Sequence, residues 1–257
     1  MDSTIKWIAR LNKFAALNKK IKMKVEIWSD VTCTHCYTAK RKFERALSQF
    51  KDRDKIEVIW RSFELAPELK TDPNKFLPQF LQELQGISLK QAQDMINHVT
   101  DSVKEVGLEY NLNKAIPANS FNAHRLSHFA KVRGLQDKME ERLFNAYFIE
   151  GKNIDDIPSL VELAKEIGLN VSEVKNILET AKYADQVKQD LAEAKQIGIA
   201  SVPKYIFNTN TKISGAQDSK VYLEILEKEF AQWKTDKVKS ESEIIKGQSC
   251  NIAEDCK

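Results

Sequence analysis

A chain of 257 residues with 30% charged residues, only 8 glycines and 6 prolines is long enough to bury a sizeable core, and its composition favours helix. Its 40 basic and 37 acidic residues nearly cancel, to a formal charge of +3. Bulk charge therefore calls for no nucleic-acid partner, and no run approaches the roughly 18 to 20 apolar residues of a membrane span. The 4 cysteines fall as two close pairs, Cys33/Cys36 and Cys250/Cys256, a spacing that suits redox or metal chemistry better than a disulfide scaffold.

Residues 1–22 form a basic N-terminal extension, with six Lys/Arg against one Asp and with Ile5, Ile8, Leu11, Phe14 and Ala15 at near-helical intervals. They lack the unbroken apolar stretch and small-residue cleavage site of a secretory signal, so the expected compartment is the cytoplasm. The extension reads either as a basic amphipathic helix for a membrane surface or organelle, or as an appendage without a fixed role.

The first strand is Lys24-Val25-Glu26-Ile27-Trp28, followed by Cys33-Thr34-His35-Cys36. Tyr37, Phe43, Ala46, Leu47 and Phe50 then recur at helical spacing among Lys40, Arg41, Lys42, Glu44 and Arg45, the pattern of an amphipathic helix with a solvated face. A cysteine between a strand and a helix sits where the unpaired N–H groups of the first turn favour a thiolate. A second strand, Ile56–Trp60 with Phe63 after it, completes a βαβ unit over 23–65. Pro67 and Asp72-Pro73 break the pattern.

From 74 to 197 the periodicity is helical throughout. One face carries Phe76, Leu77, Phe80, Leu81 and Leu84. Ser88 N-caps the next helix, and further faces run through Phe121–Val132 and Leu135–Ile149. Helices then open near Pro158, ending at Gly168, and at Ser172-Glu173-Val174, and a last one holds Val187, Leu191 and Ala194. Strands return at Tyr205-Ile206-Phe207 and, after a turn at Asn208–Asn210, run to Ile213. A final helix presents Tyr222, Leu226, Phe230 and Trp233 on one stripe, and from Lys234 the chain turns polar.

This order predicts an α/β fold: a thioredoxin-like domain built from 23–70 and 198–234, split by a helical insertion over 71–197. A flexible tail over 235–257 carries the second cysteine pair. Pro203 heads the third strand, where a residue without an N–H fits, and the fold calls for a cis Val202–Pro203 bond facing the Cys-x-x-Cys.

The chain resembles the DsbA-type oxidoreductases, and within them the FrnE-like branch with its helical insertion. The resemblance is carried by Ile27-Trp28-Ser29-Asp30-Val31-Thr32-Cys33, Asn122-Ala123-His124-Arg125-Leu126, Leu143-Phe144-Asn145-Ala146-Tyr147-Phe148, Val202-Pro203 and Ser214-Gly215-Ala216-Gln217. It implies a thiol–disulfide oxidoreductase or isomerase acting on protein or small-molecule thiols and disulfides. Cys33 would be the attacking thiolate and Cys36 the resolving thiol, with no cofactor beyond the redox-active disulfide and glutathione as a candidate redox partner. Thr34 and His35 depart from the branch's usual Pro-Trp between the cysteines. His35 either donates to the Cys33 thiolate or faces solvent, and Asp30 either shuttles a proton for Cys36 or ends the strand and caps a turn.

Two other classes compete. Four cysteines with His124-x3-His128 offer thiolate and imidazole ligands for zinc, although such a site would tie the first pair to a polar tail. Glutathione-dependent isomerases and transferases of the kappa type use the same split fold, but typically carry serine where Cys33 stands. Cys250 and Cys256 are either a relay dithiol for Cys33/Cys36 or a tail pair without that role. No motif in the chain fixes the direction of exchange or the oligomeric state.

Overall fold

The computed structural model of the protein describes residues 22–247. Four strands, β1 (Met23–Ser29), β2 (Ile56–Ser62), β3 (Lys204–Phe207) and β4 (Thr211–Ser214), form one sheet in the order β2-β1-β3-β4. β1 and β2 pair in parallel, Val25 opposite Val58, because helix α1 (Thr34–Gln49) provides the crossover that a parallel pair requires. β3 runs antiparallel to β1, with Ile27 opposite Tyr205, and a tight turn at Asn208–Thr209 leads to β4.

Alternation along β1 sorts its two faces. Met23, Val25 and Ile27 point into the core shared with Cys36, Tyr37 and Phe43 of α1, while Trp28 faces a second cluster with Ala194, Ile199 and Ile206. Between β2 and β3 lie α2 (Leu77–Gln85), α3 (Leu89–Ser102), α4 (Phe121–Val132), α5 (Gln136–Asn145), α6 (Ile157–Glu166), α7 (Val171–Glu179) and α8 (Ala184–Gln196). Ser88 closes a capping box with Gln91. Helix α7 is capped by Asn170, whose side chain accepts from Ser172 and Glu173 N–H, so it starts a residue before the Ser172 of the sequence reading.

The helices do not form a separately cored body. The Tyr37 ring of α1 stacks on Phe144 at 4.9 Å and Tyr110 stacks on Phe148 at 4.6 Å, so one contiguous core joins the insertion to the sheet. This joining overturns one reading of α1. Lys40, placed by sequence among solvated residues, is 1% exposed because α5 covers its face. Its ammonium lies between Glu44, Glu141 at 3.0 Å and Asp137 at 3.7 Å.

Arg125, from the Asn122–Leu126 motif, donates to the Ile177, Leu178, Thr180 and Lys182 carbonyls and to Asn122 Oδ1. It thereby satisfies the open C-terminal carbonyls of α7 and fixes α4 against the turn into α8.

The last helix, α9 (Ser219–Gly247), has 29 residues and passes straight through the point where the sequence reading began a flexible tail. The buried stripe does end near Trp233. The following Lys, Glu, Asp and Ser residues include no Gly or Pro before Gly247, however, so the backbone ladder propagates beyond the packed face. Helix α9 runs parallel to α1 and away from the cysteines. Tyr222 meets Phe43 at 5.6 Å and Phe230 meets Phe50, just past the end of α1, at 5.3 Å.

Candidate active site

Cys33 is the N-cap of α1, and the turn before it is pinned from two sides. Its N–H donates to Asp30 O at 3.0 Å, and its carbonyl accepts from Cys36 N–H at 3.0 Å. Asp30 is 1% exposed, and both carboxylate oxygens accept backbone N–H groups, from Thr32 at 3.0 Å and from Leu65 at 2.7 Å. Of the two roles expected for Asp30, these contacts belong to the turn cap. They also bring the 63–65 segment beside the site. Within that segment Glu64 is half-buried, and burial, helped by the Asp30 and Glu68 charges, pushes its carboxyl up to about 7.

Both thiols are buried, Cys33 at 6% exposure and Cys36 at 1%, yet they are held differently. A hydrogen bond from the Cys36 thiol lowers the Cys33 pKa, aided by the Cys36 and His35 backbone N–H groups and opposed by burial and the Asp30 charge. For Cys36, burial comes first and the adjacent Cys33 adds to it, pushing the thiol well above the ordinary range. The asymmetry favours a thiolate at Cys33 over one at Cys36. In the reduced protein iodoacetamide is expected to modify Cys33 ahead of Cys36 at neutral pH, with a reactivity midpoint below the ordinary thiol value; peptide mass mapping after timed alkylation checks this.

His35 lies exposed on the helix surface, and it reaches Cys33 through its backbone N–H rather than through the imidazole. Val202–Pro203 is a cis peptide bond, and the Val202 carbonyl faces the Cys33 sulfur at 3.8 Å. Pro203 O accepts from Gly215 N–H at 2.9 Å, and Gln217 Nε2 donates to Ser214 O at 2.6 Å. The Ser214–Gln217 motif is therefore the support of the proline wall. Gly215 sits at φ 75°, a conformation that glycine adopts without strain.

His124 and His128 are both buried and engaged. His124 Nε2 bonds the Phe63 carbonyl at 3.0 Å and lies 3.9 Å from Asp30, while His128 Nε2 meets Ser62 Oγ at 3.1 Å and Asp190 at 3.2 Å. Among the described residues no group of three or more His, Cys, Asp or Glu is placed to hold a metal ion. Cys250 and Cys256, and the extension over 1–21, lie outside the described residues.

Sequence reasoning missed Ser29, Glu64 and Tyr110. Ser29 carried a readable signal, since it continues the buried odd-numbered face of β1. Tyr110, which donates to Thr34 O at 3.0 Å from a loop far along the chain, carried none.

Two thiols of unequal pKa at a helix N-terminus, opposed by a cis proline at a strand start, define a thioredoxin-fold dithiol site carrying a helical insertion. The chain belongs to the DSBA-like thioredoxin domain family, whose model matches residues 24–227. It is 31% identical over 206 residues to the uncharacterized protein YwbO of Bacillus subtilis, covering 77% of this chain and 92% of that one. Among solved structures, a probable DsbA oxidoreductase from Streptomyces coelicolor matches with 35% identity and a TM-score of 0.75, covering 81% of this chain and 90% of that one. The cytosolic disulfide reductase DsbM from Pseudomonas aeruginosa, solved with glutathione, shares the fold at 16% identity and a TM-score of 0.53, over 83% of this chain and 98% of that one.

Proposed function

We propose that the protein is a thiol–disulfide oxidoreductase in which Cys33 exchanges with substrate disulfides and Cys36 resolves the mixed intermediate. The observation that carries this reading is the lowered Cys33 thiol at the N-cap of α1, facing the Val202 carbonyl across the site. The Cys33 thiolate attacks one sulfur of a substrate disulfide and expels a thiolate. Cys36 then attacks Cys33, closing the enzyme disulfide and releasing the second substrate thiol. The reverse sequence oxidises a substrate dithiol. A thiolate favoured at Cys33 stabilises the reduced pair and makes Cys33 the better leaving group, which favours oxidation of partners.

Glutathione is the small thiol that we propose as redox partner, in a cytoplasmic setting; the glutathione-bound relative of the same fold supports it. No helix among the described residues is long and apolar enough to cross a membrane. The kappa-type alternative is disfavoured by the intact Cys33–Cys36 pair. Reduced protein mixed with glutathione disulfide is expected to form one Cys33–Cys36 disulfide for every two glutathiones released, and the equilibrium ratio gives its potential. No exchange over hours would overturn the reading.

We propose that any exchange between Cys250/Cys256 and the active site runs between two copies of the chain. From Phe230 to Gly247 the helix rises about 26 Å, and Cys33 lies about the same distance the other way along α1, roughly 50 Å in all. Even fully extended, the residues after Gly247 bring Cys250 at most about 11 Å back and Cys256 about 32 Å. Cys36→Ser protein mixed from two mass-labelled populations is expected to yield Cys33 adducts joining different chains. Adducts within one chain would contradict this, and repeated absence of any adduct would remove the relay.

A further inference from the structure

Closing or opening the Cys33–Cys36 bond passes through a thiolate on Cys36 whichever way the exchange runs. When Cys36 resolves a mixed disulfide it must first lose its proton. When an incoming thiolate attacks Cys33 of the oxidised pair, the electron pair of the broken S–S bond leaves on Cys36. Cys36 is badly suited to this charge, being 1% exposed and pushed upward by burial and by Cys33. A group that favours the thiolate there has leverage on the two-cysteine steps and none on the first attack by Cys33.

Ser29 occupies the place for such a group. It is the last residue of β1, and strand alternation turns its side chain to the face that carries Met23, Val25 and Ile27, toward α1 and Cys36. It is 2% exposed, and its Oγ has no hydrogen-bond partner in the structure. Its register partner on β2, Ser62, is in contrast fully committed, with Oγ on His128 at 3.1 Å and N–H on Asp190 at 2.8 Å. A buried hydroxyl without a partner is costly unless it serves a neighbour, and the neighbour here is the Cys36 sulfur, whose ionised form the Ser29 hydroxyl favours together with the Asp30 backbone N–H.

The other titratable groups around Cys36 are Tyr205 of β3, Tyr222 of α9, Tyr110 of the insertion and Cys33. The three tyrosines sense the Cys36 charge through space and are themselves held protonated.

We propose that Ser29 is a positioning residue for Cys36. Its hydroxyl donates to the Cys36 sulfur as that sulfur becomes a thiolate, and so speeds closure and opening of the active-site disulfide without acting on substrate. The inference rests on the exchange reading given above, and one experiment separates the two. Reduced full-length protein carrying Cys250→Ser and Cys256→Ser, so that only the active-site thiols report, is mixed with dithiobis(nitrobenzoate), which releases a coloured thiolate when Cys33 attacks and a second when Cys36 closes the ring, with the Cys36 proton going to solvent.

With Ser29 intact in this background, two releases per chain test the exchange itself. In Ser29→Ala the first release is expected at the wild-type rate. The second is expected to slow about tenfold, on the scale of a lost hydrogen bond to a charged group, with its pH midpoint moved upward. The substitution removes one oxygen from a buried site and leaves the fold intact, which the melting temperature of the reduced variant verifies. Equal slowing of both releases, no slowing of either, or a slower second release with an unmoved pH midpoint overturns the role for Ser29. A wild-type protein that gives no first release overturns the exchange reading instead.

Discussion

Cys33→Ser is expected to take disulfide exchange down to the rate seen without protein, whereas Cys36→Ser should keep the first attack and stall as a long-lived mixed disulfide. The reason is the division of labour between the sulfurs. Cys33 has a lowered thiol pKa at the N-cap of α1, and a serine hydroxyl there is not ionised at neutral pH and forms no disulfide. Cys36 is more deeply buried and raised, so it acts only when Cys33 presents a sulfur to it. Single-turnover release of a chromogenic thiol, with intact-mass analysis of the protein, reads both outcomes. Residual multiple turnover in Cys33→Ser would mean that Cys36 attacks substrate directly, against its burial.

Lys40→Met is expected to produce a large loss of stability, although Lys40 lies two turns from the nucleophile. The ammonium joins α1 to the insertion through Glu44, Glu141 at 3.0 Å and Asp137 at 3.7 Å, with the Trp60 ring centroid 5.9 Å away. Burial alone would lower its pKa, but the charges of Asp137, Glu44 and Glu141 outweigh it, so Lys40 stays protonated in the folded state. Methionine replaces the stem and removes the charge, leaving Arg41 as the one cation between Glu44 and Glu141 and leaving Asp137 to solvent. Losing the buried member of this partly exposed network costs about 2 kcal/mol, which for a chain of this size lowers the melting temperature by roughly 4 to 8 °C. A change of less than about 2 °C would show that the network contributes little. Lys40→Met/Asp137→Asn is expected to recover part of the loss, because Asp137 is the carboxylate that meets Lys40 without also meeting Arg41.

Cys33, Cys36 and Lys40 mark the boundary of what could be read in advance. Cys33 and Cys36 were legible because their spacing, the strand before them and the helix after them are all local. Pro203 was legible as a strand start. The helices of the insertion were legible from periodicity and from caps such as Ser88. The burial of Lys40 was not, since within α1 its neighbours are charged and only the packing of α5, about a hundred residues later, takes that face out of water.

The sequence by itself determined the βαβ start, the dithiol, the strand-opening proline and the long helical interruption, because each depends on residues close together in the chain. Tertiary structure added the reason why a thiolate is favoured at Cys33 over Cys36, since the two pKa values move apart through burial and through groups drawn from other elements. It also decided that Asp30 spends both oxygens on backbone N–H groups, that His35 reaches Cys33 through its main chain, and that the Ser29 hydroxyl is buried without a hydrogen-bond partner. Local pattern records what a residue can do. The dielectric and the partners that decide what it does arrive only when distant segments close over it.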